Sequence, residues 1–170
     1  MKKIISLILC LILVLGLAAC GSKNEEGGKD TPKATKDSFS FKVKDTVIHI
    51  GDDMAAVLKA LGDPVSYFES PSCAFAGLDK IYTYSGFTVS TSPKDKKDIV
   101  TSIELTDDSV TTFDGLYIGS SADDVKKIYG KSSSDLDVLL SYENGSVSVE
   151  FGVKDGKVKS ISYVSNEKTN

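Results

Sequence analysis

The chain has 170 residues, with 20 lysines against 24 acidic side chains, one histidine, three cysteines, no arginine and no tryptophan. That length bounds the folded part to one ordinary domain or two small fused units. A net charge of −4 gives no electrostatic reason to seek nucleic acid, and without arginine there is no bidentate fork for phosphate or carboxylate.

Lys2 and Lys3 precede an almost purely apolar stretch from Ile4 to Leu17, and Leu17-Ala18-Ala19-Cys20 closes it. A membrane-spanning helix needs ~20 apolar residues, so this stretch is expected to be a signal-peptide core, with residues 1–19 removed. The four closing residues form the lipobox of a bacterial lipoprotein. Cys20 is then the new N-terminus, carrying a diacylglycerol thioether. Acyl chains contribute about 0.8 kcal/mol per buried methylene, so two or more make a durable anchor. The expected location is the outer face of a Gram-positive cell membrane.

Loss of Lys2 and Lys3 leaves 18 basic against 24 acidic side chains, a mature charge of −6. Cys10 leaves with the signal and Cys20 is alkylated, so Cys73 stands alone and a disulfide framework is excluded. A small buried hydrophobe is the default role for such a cysteine. Residues 20–37, the lipidated cysteine and a polar run after it, contain no large apolar side chain beyond Cys20. They are expected to be a disordered tether spanning roughly 20–25 Å.

From residue 38 the chain reads as two related halves. Phe39-Ser40-Phe41-Lys42-Val43-Lys44 alternates and predicts a leading strand. Ile48 to Gly62 then matches Leu116 to Gly130 at an offset of 68, with Ile50/Ile118, Gly51/Gly119, Val57/Val125 and Gly62/Gly130 coinciding. Each segment predicts one short amphipathic helix: Met54, Val57, Leu58 and Leu61 in the first, Ala122, Val125, Ile128 and Tyr129 in the second. Asp52 or Ser120 is placed to cap the start, and Gly62 or Gly130 to end it.

A hairpin is expected at Ser85-Gly86, with Tyr84 opposite Phe87 and Tyr82 opposite Val89. Its counterpart at Asn144-Gly145 sets Tyr142 opposite Val147 and Leu140 opposite Val149. A three-residue loop with a bulge at Lys154-Asp155-Gly156 then aligns Val149 with Ile161 and Val147 with Tyr163. Val100 to Leu105 is the corresponding last strand of the first half, at an offset of 58. The first half therefore carries about ten extra residues, within Ser70 to Lys80. The expected fold is α+β: two fused repeats, each a short helix packed on an antiparallel β-meander, over 38–107 and 108–165, with a tail at 166–170.

The motifs Ile50-Gly51…Val57…Leu61-Gly62-Asp63-Pro64 and Ile118-Gly119-Ser120…Val125…Tyr129-Gly130, in tandem behind a lipobox, carry a resemblance. Over about residues 47–165 the chain resembles the superfamily of the β-lactamase inhibitor protein and the small lipoproteins SmpA/OmlA. Within it, the chain looks most like tandem-repeat bacterial lipoproteins. The resemblance implies a helical part on an antiparallel sheet and a protein-binding scaffold rather than an activity. The chain departs from the inhibitor in having one helix per copy and no disulfides.

Reactive groups are few. His49 is the only histidine, and Tyr117 stands at its place in the second half, which points to a packing or strand-edge role. Asp52-Asp53, Asp107-Asp108 and Asp123-Asp124 lack the alternating ligands and final glutamate of a calcium loop. No zinc-protease, phosphate-loop or paired-cysteine motif occurs.

No catalytic residue, metal or cofactor is therefore expected. The expectation is a non-catalytic module binding a protein or an envelope component, and the membrane through Cys20. The candidate binding residues are Tyr67, Phe68, Cys73, Phe75, Asp79, Tyr82 and Tyr84, in and around the segment that breaks the repeat. An inhibitor of a secreted hydrolase, β-lactamase-like or acting on peptidoglycan, is the alternative, and an enzyme using His49 a third.

Overall fold

The computed structural model describes residues 33–134 and 136–167. The expected signal peptide, Cys20, most of the expected tether and residues 168–170 lie outside these.

Residues 33–37, the end of the expected tether, are held against the fold. The amides of Lys33 and Ala34 both donate to the Ile128 carbonyl, at 2.7 and 2.8 Å. A 3-10 turn follows at Lys36–Phe39, and Ser38 within it is fully buried. The expected leading strand is only β1 (Phe41–Val43), paired with β2 (Thr46–Ile48) in a separate two-stranded hairpin. Its Phe41 and Ile48 are fully buried, and the Phe41 ring lies 4.8 Å from that of Phe87.

Helix α1 (Met54–Leu61) comes next, then β3 (Ser66–Pro71), β4 (Leu78–Tyr84), β5 (Phe87–Lys94) and β6 (Lys97–Leu105). Helix α2 (Ala122–Tyr129) precedes β7 (Leu139–Asn144), β8 (Val147–Lys154) and β9 (Lys157–Ser165). The N-caps fall one residue later than expected. Asp53 accepts from the Ala55 amide and Ser121 from the Asp123 amide. Asp52 and Ser120 instead close the preceding turns by accepting from the amides of His49 and Tyr117. Gly62 and Gly130 end the helices at φ of 81° and 82°, a conformation that favours glycine.

The expected α+β architecture of two helix-on-meander repeats is not what forms. The chain is mostly β, with one seven-stranded antiparallel sheet in the order β3-β4-β5-β6-β9-β8-β7. The strands expected to end two separate meanders, β6 and β9, pair with each other from Ser102↔Val164 to Leu105↔Ile161. Pairing satisfies main-chain groups that each would otherwise expose along an edge. The two α-helices, eight residues each, are too short to form a layer of their own. They cover part of one sheet face, together with the β1–β2 hairpin and buried Leu116.

One row of side chains crosses all seven strands on that face: Tyr67, Tyr82, Val89, Ile103, Tyr163, Val149 and Tyr142. The opposite face carries Ser66, Thr83, Thr88, Glu104, Ser162, Glu150 and Ser141 in one row. Period-two alternation thus separates a core face from an outer face.

Two registers differ from expectation. The β4–β5 turn at Ser85-Gly86 has the expected pairs, but Tyr142 lies opposite Val149 and Leu140 opposite Phe151. At the next turn Val149 meets Tyr163 and Phe151 meets Ile161, and the bulge sits at Gly152/Val153 rather than in the loop. Each pairing has slipped by two residues. Such a slip leaves every side chain on its own face, so the hydrophobic pattern does not oppose it. Gly152 stands at the bulge, where a Cβ would approach the Ser160 hydroxyl.

Candidate functional site

The cleft forms where β6 parts from β9. Below Ser102, β6 runs on with β5 alone as an arm, from Thr91↔Val100 to Lys94↔Lys97, past a bulge at Ser90/Thr91. The edge of β6 that β9 leaves is taken by residues 51–53. The Gly51 amide donates to Val100 O at 2.8 Å, and the Val100 amide to Asp52 O at 2.9 Å. A cleft of about 570 Å³ opens beside the arm, within the range of small-molecule sites.

Its apolar lining includes Phe75, Pro93 and Ile99, and its hydroxyls are Ser92, Thr101, Ser146 and Ser165. Four charged residues, Lys94, Lys97, Asp95 and Glu167, complete the polar part. Lys94 Nζ lies 3.4 Å from the Glu167 carboxylate, and Lys97 Nζ 3.1 Å from that of Asp53. The Ala55 amide, and then Lys97, hold the Asp53 carboxyl below its ordinary range. Phe75 comes from loop 72–77, where a Cβ on Gly77 would press on the Pro93 ring at 2.9 Å.

A second cluster lies at the β3 edge. The rings of Tyr67 and Tyr82 are 5.1 Å apart on the core side of the sheet. Tyr67 donates its hydroxyl to the Glu69 carboxylate, which pushes the phenol up to about 12. Lys80 Nζ is 2.8 Å from the Asp98 carboxylate, whose bond raises the lysine's pKa.

The candidate residues are therefore dispersed. Tyr67 and Tyr82 meet each other. Phe68, 61% exposed, projects from the outer face beside Ile81. Asp79 is on that face opposite Ser70, with one buried carboxylate oxygen unpartnered. Tyr84 is half-buried, stacks on Phe87 and donates to Gly62 O at 3.2 Å. Phe75 alone lines the cleft.

Cys73 is exposed in the loop, correcting its expected burial. Of the segment at 70–80 that breaks the repeat, residues 72–77 form the loop between β3 and β4, and its two ends belong to those strands. His49 is a surface residue, its Nδ1 3.5 Å from the Asp52 carboxylate. Sequence reasoning missed Thr101, Ser146, Ser165 and Glu167. They come from distant parts of the chain, and no local spacing marks them.

No family model and no curated protein matches this chain. Among solved structures it is similar to a cysteine-rich secretory protein from Staphylococcus aureus, at 15% identity and a TM-score of 0.47. The match covers 68% of this chain and 44% of that one. It is also similar to the uncharacterized protein yfeY from Escherichia coli, at 14% identity and a TM-score of 0.41, over 68% of this chain and 90% of that one. The chain thus spans less than half the length of the first of these.

Proposed function

We propose that this protein is a lipid-anchored, extracytoplasmic, non-catalytic module that binds a hydroxyl-rich envelope component, a neutral glycan, in the cleft beside the β5–β6 arm. The observation that carries this reading is the lining itself: an aromatic ring, four hydroxyls, and two lysines balanced by two acids. Sugar C–H faces pack on aromatic rings. Sugar hydroxyls need both donors and acceptors, which serine, threonine, lysine and carboxylate groups supply together. The balanced charge offers a polyanion no advantage, and the acidic mature chain repels one. The lipobox ending at Cys20 supports the location.

The test is a calorimetric titration with a soluble N-acetylglucosamine tetramer, repeated with Phe75→Ala and Thr101→Val. Binding that both variants weaken about tenfold, near 1.4 kcal/mol, is expected. No binding, or binding that neither variant changes, rejects the cleft. Mass spectrometry of the mature protein tests the anchor: an unmodified Cys20 rejects it.

A further inference from the structure

The two edges of the seven-stranded sheet are finished differently. A sheet edge presents unpaired N–H and C=O groups, and proteins usually cover it or break it with charge, proline or a bulge. The β7 edge is covered. The Ser133 amide donates to Ser141 O at 2.8 Å, and the Ser141 amide donates to the Ser132 hydroxyl at 3.0 Å. The Ser133 hydroxyl adds a bond to the same carbonyl at 2.9 Å. Tyr142 in that strand is 4% exposed.

Among the described residues the β3 edge has no such cover: no main-chain bond from outside the β3–β4 pair reaches residues 66–70. Its pairing with β4 is regular from Ser66↔Thr83 to Pro71↔Leu78, with no bulge, and its proline stands only at the end. It exposes Tyr67 on one face and Phe68 on the other, at 47% and 61%.

We infer that this edge receives the β3 strand of a second copy of the chain, antiparallel, with Phe68 opposite Phe68 about a two-fold axis. The segment Ser66-Tyr67-Phe68-Glu69-Ser70 is self-complementary about that centre. Serine 66 meets serine 70 of the second copy, and each Tyr67 meets the other's Glu69, so the one charge on the strand never faces itself. Centring the pair on Glu69 instead would oppose like charges, which destabilises a cross-strand pair.

On the outer face, Ile81 lies opposite Phe68 within each copy and is 40% exposed. Pairing therefore lines up Ile81, Phe68, Phe68 and Ile81 as one apolar strip across the junction. A closed two-fold contact of this kind uses up the edge and does not propagate. The inference does not rest on the glycan cleft, whose lining includes no residue of β3.

Disulfide trapping in membranes expressing the full chain tests it. In a Cys73→Ser background, Phe68→Cys is expected to give several-fold more reducible dimer on mild oxidation than the Cys73→Ser parent, which controls for Cys10 and Cys20. Ser66→Cys with Ser70→Cys is expected to cross-link, and Glu69→Cys alone to stay at the parent level. Phe68→Lys is expected to move the wild-type chain from dimer to monomer mass in mild detergent. Parent-level trapping at Phe68→Cys overturns the pairing, as does equal trapping at Phe68→Cys and Glu69→Cys, or a wild-type chain already monomeric in detergent and membrane.

Discussion

Tyr129→Phe is the sharpest test of how the N-terminal turn is pinned to helix α2. Tyr129 is 7% exposed, and its hydroxyl lies 3.0 Å from Ser38 O and 3.1 Å from the Asp114 carboxylate. Its ring packs on Tyr142 at 4.9 Å, Phe151 at 5.4 Å and Phe39 at 5.9 Å. Phenylalanine keeps those ring contacts and removes only the hydroxyl. A hydrogen bond to a charged group is worth about 1.5–3 kcal/mol, and stranding a buried acceptor such as the Ser38 carbonyl costs about 1–3 kcal/mol. Because one proton serves both acceptors, the two figures overlap, and we expect a net loss of about 2–3 kcal/mol. In a fold of this size that lowers Tm by roughly 8 °C.

The assay is urea unfolding, with the midpoint moving and the slope unchanged. Tyr67→Phe is the control, because its hydroxyl meets only a surface carboxylate, and its midpoint is expected to stay put. A Tyr129→Phe midpoint equal to wild type, or a matching loss in Tyr67→Phe, would refute the pinning role.

Gly152→Ala should cost less than about 1 kcal/mol, because only the hydroxyl of exposed Ser160 stands in the way and it can turn toward solvent; a larger loss that Ser160→Ala does not relieve would place strain in the bulge itself. Burial pushes the Tyr142 phenol up to about 12, and burial lifts those of Tyr129 and Tyr163 further. Phenols whose folded values exceed the ordinary 10.0 contribute stability that is whole below pH 10 and lost as pH rises through the folded values. Phenolate absorbance of these three should therefore appear together with alkaline unfolding, and their ionisation in a still-folded chain would contradict the burial.

At the acid end the sign reverses. Asp53 is held below its ordinary 3.8 chiefly by the Ala55 amide, so its contribution is present above pH 3.8 and lost as pH falls through the depressed value. Asp53→Asn, which keeps the capping oxygen, should flatten that limb of the stability curve; an unchanged limb would remove Asp53 from the account. Cys73 in the folded chain should react with a maleimide as fast as in the urea-unfolded chain, and protection would show the loop covering it.

Local features were legible because local forces make them. Gly62 and Gly130 stop their helices since few other residues accept their φ. The Ser85-Gly86 turn fixes Tyr84 against Phe87 directly. Helix caps were legible only to within a residue, because Asp52 and Asp53, or Ser120 and Ser121, offer the same chemistry and the preceding turn decides between them. Of the candidate site, Phe75 was found by the break in pattern at 70–80. Ser146 and Ser165 were not, because they reach the cleft only through the pairing of strands far apart in the chain.

By itself, the order of residues determined which side chains face inward, since alternation along a strand is a property of the chain. It also determined where the short helices end and, to within a residue, where they begin, and that acidic, arginine-free chemistry prevails. Only the tertiary structure decided that β6 and β9 join into one sheet, which register the β7–β8 and β8–β9 hairpins take, and that, among the described residues, the edge at β7 is covered while that at β3 is bare. The physical reason is common to all three. Main-chain hydrogen bonds between strands are indifferent to side-chain identity, and a slip of two preserves every face. The choice therefore falls to closure of the whole core.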